Sequence, residues 1–169
     1  MNPPKLDTER LILRAPEAGD FPTYRDFYAD ADASAFYGGP LPAHRAWRVL
    51  AGDLGHWRLR GYGMWSVCER ATGIMIGGCG LVWPEGWPRS ELTWWIIPAA
   101  RRRGYALEAS RAVIAFGYEI LRWESVETHI DDANSAARDL TLKLGAEHIA
   151  RDLFPDGLER NVYRFPRPQ

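Results

Sequence analysis

Residues 90–106 read SELTWWIIPAARRRGYA, and the two halves of this stretch have opposite characters. Glu91 to Ile97 is an apolar, aromatic and β-branched run. It is too short for a helix and too apolar for a surface strand, which predicts a buried central strand. Pro98 has no amide to give to a ladder and ends the run. Ala99 to Arg103 form a short basic turn. Gly104 then opens a segment of helical periodicity that extends to about Leu121. The first amides of a helix have no intrahelical acceptor, and the helix dipole places partial positive charge there. Gly104 lets backbone approach a ligand, Ala106 adds little bulk, and Arg101, Arg102 and Arg103 add full charges. A diphosphate suits such a turn. An ordinary strand–helix connection with a solvated basic turn fits the same residues, so physics alone leaves both readings open.

Arg101-x-x-Gly104-x-Ala106, placed after a strand and before a helix, resembles the acyl-CoA signature of the GNAT acetyltransferase superfamily. The string from Glu91 through Gly104-Tyr105-Ala106-x-Glu108-Ala109 is similar to the branch containing the ribosomal-protein N-terminal acetyltransferases. So is the opening Leu6-x-Thr8-Glu9-Arg10-Leu11-x-Leu13-Arg14. Near the C-terminus, Asn134-Ser135-Ala136-Ala137 followed by Lys143-Leu144-Gly145-Ala146 resembles the family's N-x-x-S…K-L-G-F segment. Ala137 replaces the usual Ser there and Ala146 the usual Phe. Many members carry a Tyr seven residues after the Asn, which protonates the departing thiolate. Thr141 stands at that position.

The resemblance covers essentially the whole chain. It implies one acyltransferase domain, residues 1–169, that uses acetyl-CoA as cosubstrate and no metal. The implied cofactor site comprises Trp95, Ile96 and Ile97 on the strand, Arg101 through Tyr105 and Ala106 in the turn, and Asn134 with Arg138 on a later helix. Asn134 read by itself is a helix N-cap.

The rest of the chain supports a mixed α/β fold. Arg10–Ala15 reads as a strand. Glu17 to about Ala29 reads as a helix, with Asp20 as N-cap and Pro22 in the first turn. Residues 36–42 are loop. Ala43 to about Leu59 is a helix with Trp47, Leu50, Leu54 and Trp57 inward, which Gly52 and Gly55 weaken. Residues 63–69 and 74–83 are strands joined by a hairpin at 70–73. Gly77, Gly78 and Gly80 imply a bulge or the close approach of another backbone. Residues 125–130 form a strand, and 134–144 a helix stopped by Gly145. Residues 148–153 and 160–165 close the chain as paired strands around Pro155-Asp156-Gly157. With the resemblance, this order implies about seven mostly antiparallel strands flanked by about four helices. The sheet is expected to splay between strands four and five.

At 169 residues, with 46% hydrophobic and 25% charged residues, the composition is that of an ordinary globular domain. A formal net charge of −1 argues against a polyanion partner, and the RRRGY cluster is short for an RNA-binding face. No G-K-[ST] follows the turn, which excludes a P-loop. No run approaches a membrane span, and MNPPKLDTER lacks the apolar core of a signal peptide, so a cytoplasmic protein without a membrane partner is expected. Cys68 and Cys79 are expected to be buried reduced thiols. Glu127, His129 and Asp131 alternate on one strand face, and a polar face is the plainer reading than a metal site.

Acetyl transfer to an amine needs a proton acceptor, an oxyanion donor and a leaving thiolate. Glu91, at the start of a buried strand and on one face with Thr93, Trp95 and Ile97, is the candidate base. It could equally cap the strand edge or pair with an arginine. Free amides near Ile96 and Ile97 are the candidate oxyanion donors. Thr141 could donate to the thiolate, or bond back to the Ala137 carbonyl. Trp95 is expected to wall the acceptor side, and Tyr37 is an acceptor-site candidate. The acceptor could be a protein N-terminal amine, a polyamine or an amine-bearing antibiotic. A domain that holds acyl-CoA without transferring it is the alternative, and a homodimer is compatible with either.

Overall fold

The computed structural model describes residues 3–168; Met1 and Asn2 of the opening stretch and Gln169 lie outside the described residues. Five strands form one antiparallel sheet in sequence order: β1 (Leu6–Asp7), β2 (Leu11–Arg14), β3 (Met64–Glu69), β4 (Met75–Val82) and β5 (Glu91–Ile96). Three more form a second antiparallel sheet in the order β6 (Glu127–Ile130), β8 (Glu159–Arg164), β7 (Glu147–Leu153). The helices are α1 (Phe21–Ala29), α2 (Ala43–Arg60), α3 (Tyr105–Ala115) and α4 (Ser135–Lys143). The eighth strand is the two-residue β1, which pairs Leu6 with Leu13 and Asp7 with Ile12. The expected splay therefore falls between β5 and β6, which lie side by side with no ladder between them.

Both faces of the larger sheet are covered, which is why its inner strands carry unbroken apolar runs. Leu11, Leu13, Val67, Leu81, Leu92 and Trp94 pack on the α3 side with Ala109 and Val113. Met64, Cys68, Met75 and Trp95 pack on the other side with Tyr24 and Phe27 of α1 and Leu50 of α2. Trp94 and Trp95, adjacent in sequence, thus serve opposite cores. Cys68 and Cys79 are buried free thiols.

The glycines of β4 answer both halves of the expectation. A Cβ on Gly77 would stand 2.1 Å from the Trp95 carbonyl oxygen, and one on Gly80 would stand 2.3 Å from the Gly63 carbonyl oxygen. The β3–β4 ladder also slips between Val67 and Cys68, passing over Ile76.

Three local expectations change. Asp20 stands at the N-cap of α1 but makes no side-chain cap to that helix; its carboxylate instead accepts the Glu17 amide behind it at 3.0 Å. Its carboxylate is buried, takes the Arg14 guanidinium at 2.6 and 2.9 Å, and accepts the Ser66 hydroxyl at 2.6 Å. The Arg14 charge, the Ser66 hydroxyl and the Glu17 amide together take up the lone pairs that would have capped α1. The α2 helix runs unbroken through Gly52 and Gly55 to Gly61, whose φ of +77° ends it. Its buried stripe is Ala46, Leu50 and Trp57, leaving Trp47 and Leu54 47% and 44% exposed. The helix after Gly104 ends at Ala115, and a wider π-type turn, Phe116–Ile120, carries the chain to Leu121. No helix among the described residues is long and apolar enough to cross a membrane.

Candidate active site

The open edge of β5 is the first component. Its ladder with β4 aligns Gly77 with Ile96 and Gly78 with Trp95, and the Ile97 amide donates to the Ile76 carbonyl at 2.9 Å. Hydrogen-bonding direction alternates along a strand, so Ile97, Trp95 and Thr93 face β4. Ile96, Trp94 and Leu92 therefore turn their amides and carbonyls toward β6. The Ile97 amide, expected to be free, is spent in the ladder; the amides of Ile96 and Trp94 are the free ones. Two carbonyls on this edge have side-chain donors. Arg101 Nε donates to the Ile96 oxygen at 3.0 Å, and the Tyr37 hydroxyl donates to the Trp94 oxygen.

The turn after β5 is the second component. Arg102 and Gly104 both have positive φ, +60° and +79°. The first bond of α3 runs from the Glu108 amide to the Gly104 carbonyl. The Tyr105, Ala106 and Leu107 amides that precede it have no intrahelical acceptor. Left-handed residues next to free amides make a concave anion seat. A Cβ on Gly104 would meet only Arg10 Nη2, at 3.2 Å, so the space beside Gly104 is otherwise open. This seat fits a diphosphate.

The arginines contribute unequally. Arg101 is tied to backbone carbonyls, its Nη2 also donating to that of Ala33 at 3.3 Å. Arg103 pairs with Glu69 at 3.1 Å. Arg102 is exposed and in no ion pair among the described residues, which leaves it as the cation available to a ligand. The Tyr105 side chain is buried and its hydroxyl donates to Glu69, so only its amide faces the seat. Glu108 is occupied by Thr8 and Arg10 at 2.6 and 2.7 Å, a structural tie between the N-terminal strand and α3.

Between β5 and β6 lies a cleft of about 430 Å³. Glu91, Thr93 and Trp94 line it from β5, Thr128, His129 and Ile130 from β6, and Asn134 and Ala137 from α4. The α1–α2 connection adds Phe36 and Tyr37, and Trp87, Asp156 and Arg160 close the far end. Trp95 does not line it. Its indole packs into the α1 aromatic cluster, 4.5 Å from Phe27 and 4.9 Å from Tyr24 between ring centroids. Tyr37 does line it, but its hydroxyl is committed to β5, and burial pushes its phenol pKa well up.

Glu91 has a side chain only 22% exposed, with Oε2 3.7 Å from His129 Nδ1. Burial pushes its carboxyl up to about 7, against the opposing pull of Arg160 and of the His129 amide. A carboxylate with that value can take up a proton near neutral pH. His129 moves the other way, down to about 4, because burial disfavours its charged form and Arg89 and Arg160 lie near. The two are therefore not an ion pair at neutral pH.

On α4 the Asn134 side chain accepts the Ala137 amide at 3.2 Å, as a helix cap does. Asn134 and Ala137 line the cleft, and Arg138 is exposed away from it. The inward face of this helix is thus i, i+3 and i+7, ending in Thr141, which is fully buried. The Thr141 hydroxyl has no hydrogen-bond partner, so the alternative bond to the Ala137 carbonyl is not made. Among the described residues no group of three or more His, Cys, Asp or Glu could hold a metal ion.

The family model for the acetyltransferase (GNAT) domain matches residues 10–147, a span that includes the turn, the cleft strands and α4. The chain belongs to the GNAT acetyltransferase family. A crystal structure of the acetyltransferase from Agrobacterium tumefaciens str. C58 superposes with a TM-score of 0.90 at 30% identity, over 99% of this chain and 96% of that one. The uncharacterized N-acetyltransferase YoaA of Bacillus subtilis (strain 168) is 25% identical over 98% of both chains. RimL, a ribosomal L7/L12 alpha-N-protein acetyltransferase solved in complex with coenzyme A, superposes at 0.78 over 97% of this chain and 98% of that one. At 12% identity, that likeness is one of fold.

Sequence reasoning missed several residues of this GNAT cleft, among them Trp87, His129, Asp156 and Arg160. Trp87, Asp156 and Arg160 lie in or beside turns, and no local pattern says that the β7–β8 hairpin folds back beside Glu91. His129 was visible only as one member of an alternating polar face. Its position opposite Glu91 depends on how the two sheets meet.

Proposed function

We propose that this GNAT acetyltransferase is a single acyltransferase domain, residues 1–169, that transfers acetyl from acetyl-CoA directly to a primary amine in a ternary complex. The observation that carries the reading is one continuous path: the free amides after Gly104, the open β5 edge, and the carboxyl of Glu91 in the same cleft. Acetyl-CoA supplies the activated acyl group as a thioester. The amides of Tyr105 and Ala106, with Arg102, hold its diphosphate. The Ile96 or Trp94 amide donates to the oxygen of the reacting carbonyl. Glu91, directly or through water, takes the proton that leaves the amine as the C–N bond forms and the C–S bond breaks. The orphaned Thr141 hydroxyl, one helical turn beyond Ala137, donates to the departing sulfur.

The acceptor is a protein N-terminal amine or a small-molecule amine. An α-amine, with an ordinary pKa of about 7.7–8.0, is partly free base at neutral pH and asks least of Glu91. Thiol release from acetyl-CoA, measured over a panel of N-terminal peptides, polyamines and aminated antibiotics, tests the reading. Multiple turnovers on at least one amine are expected. Acetyl-CoA binding without turnover on any of them supports the alternative, a module that holds acyl-CoA.

Thr141→Val keeps the shape and removes the donor. Acetyl transfer should slow by about ten- to a hundredfold, the scale of one lost hydrogen bond to a charged group. Acetyl-CoA affinity should hold, and the melting temperature should not fall, since a buried hydroxyl without a partner contributes nothing that valine lacks. Full activity in the variant would leave the sulfur to depart with help from water alone.

A further inference from the structure

His129 is buried among groups that leave it unfinished. Its side chain has no exposure, yet neither Nδ1 nor Nε2 has a hydrogen-bond partner. Buried polar atoms without partners are rare, and each one asks what completes it. The ring is held against Phe154, with centroids 4.7 Å apart, and its Nδ1 lies 3.7 Å from Glu91 Oε2. That distance is about half an ångström too long for a hydrogen bond. Sites of this kind often tighten only when substrate is bound.

We propose that His129 is a positioning residue for acyl transfer, whose Nδ1–H engages the Glu91 carboxylate when the acceptor amine is seated and keeps it aimed at the amine's proton. This rests on Glu91 being the proton acceptor. A neutral imidazole donates from one nitrogen and accepts at the other, so a donor at Nδ1 leaves Nε2 as an acceptor. The hydrogen bond favours the ionised carboxylate, which is the form that must exist before the proton arrives.

The surroundings keep the imidazole itself out of the titration. Arg89 faces it from the segment before β5 and bridges Glu127 of β6 and Asp152 of β7 at 3.0 and 2.7 Å. Arg160 of β8 approaches from the other side, bound to Asp156. Two guanidiniums and burial disfavour the imidazolium, with Asp152 opposing them, and hold His129 down at about 4. An activity limb near neutral pH therefore reports Glu91 and not His129.

Two variants and one spectrum test the assignment. His129→Phe retains a ring against Phe154 and loses the donor. His129→Asn places an amide N–H where Nδ1 stood. With the amine that the wild-type protein turns over, His129→Phe should lower kcat about ten- to a hundredfold and move the acidic limb of the pH profile up by about one unit. The KM for acetyl-CoA should stay unchanged. His129→Asn should recover most of both. A wild-type rate and limb in His129→Phe overturn the proposal. So does equal loss in both variants accompanied by lost acetyl-CoA binding, which marks a packing role. Nitrogen-15 spectra of the wild-type His129 ring should show a neutral imidazole whose shifts follow the Glu91 midpoint. That response should vanish in Glu91→Gln. With the amine bound, a ring indifferent to Glu91 overturns the pairing, whereas a wild-type protein with no turnover on any amine overturns the activity reading itself.

Discussion

Acetyl-CoA should raise the melting temperature of the wild-type protein and leave that of Gly104→Val where it was. At a ligand concentration a hundred times the Kd, mass action adds about 2.7 kcal/mol to the folded state. For a chain of this length that is a shift of about 5–11 °C. The glycine sits at φ +79°, and a Cβ there meets only Arg10 Nη2 at 3.2 Å, so space is not the obstacle in the free protein. Conformation is. An L-residue in the left-handed region costs about 1–2 kcal/mol, and a β-branched one tends to the upper end. The free variant should therefore melt several degrees lower and still fold cooperatively. If the diphosphate sits on the amides of Tyr105 and Ala106 as proposed, the two valine methyls would stand in its way there. Affinity should fall at least about a hundredfold, the scale of two or more lost charge-assisted hydrogen bonds. Gly104→Ala separates the two effects: it carries most of the strain with less of the bulk, and should keep part of the shift. A folded Gly104→Val protein with an undiminished shift would remove the seat from the cofactor site.

Glu91→Gln should lower turnover about 10²- to 10⁴-fold at neutral pH while acetyl-CoA affinity barely moves. The acidic limb of the wild-type pH profile, set by a carboxyl held up at about 7, should disappear with it. The same substitution has a stability signature of definite sign. The folded state binds its proton more tightly than the unfolded chain, whose carboxyl keeps its ordinary value of 4.5. Burial of Glu91 is therefore tolerated in full below that ordinary value, and stability is lost as pH rises from about 4.5 through about 7. Glutamine has no charge to bury. Relative to wild type, Glu91→Gln should be close to neutral at pH 4 and gain up to about 3 kcal/mol by pH 8, read as a melting temperature that diverges with pH. A group kept at a cost to folding and needed for turnover is what a functional carboxyl looks like. Equal loss of acetyl-CoA binding and turnover would instead mark Glu91 as structural.

Residues 91–106 by themselves determined much of this protein. The buried strand, the stop at Pro98, the glycine that must begin the next helix and the cap at Asn134 are local events. Each is set by a missing amide, a positive φ or a side chain bonding three residues away. The hairpin at 70–73 and the glycines of β4 were legible for the same reason. Tertiary structure alone decided the rest. Asp20 turned from the amides of α1 to Arg14, Ser66 and the Glu17 amide because a buried carboxylate gains most where a guanidinium can reach it. Trp95 is out of the cleft although it shares a face with Glu91 and Thr93, because its indole packs against Tyr24 and Phe27, and where α1 lies on the sheet is decided by tertiary packing. Of the two amides expected to be free, Ile96's is and Ile97's is not, because hydrogen-bonding direction follows register, and register is a property of the pair β4–β5. His129 faces Glu91 across 38 positions of sequence because two separate sheets meet without pairing there. Such a contact forms only when the whole chain has packed, so no window of local sequence records it.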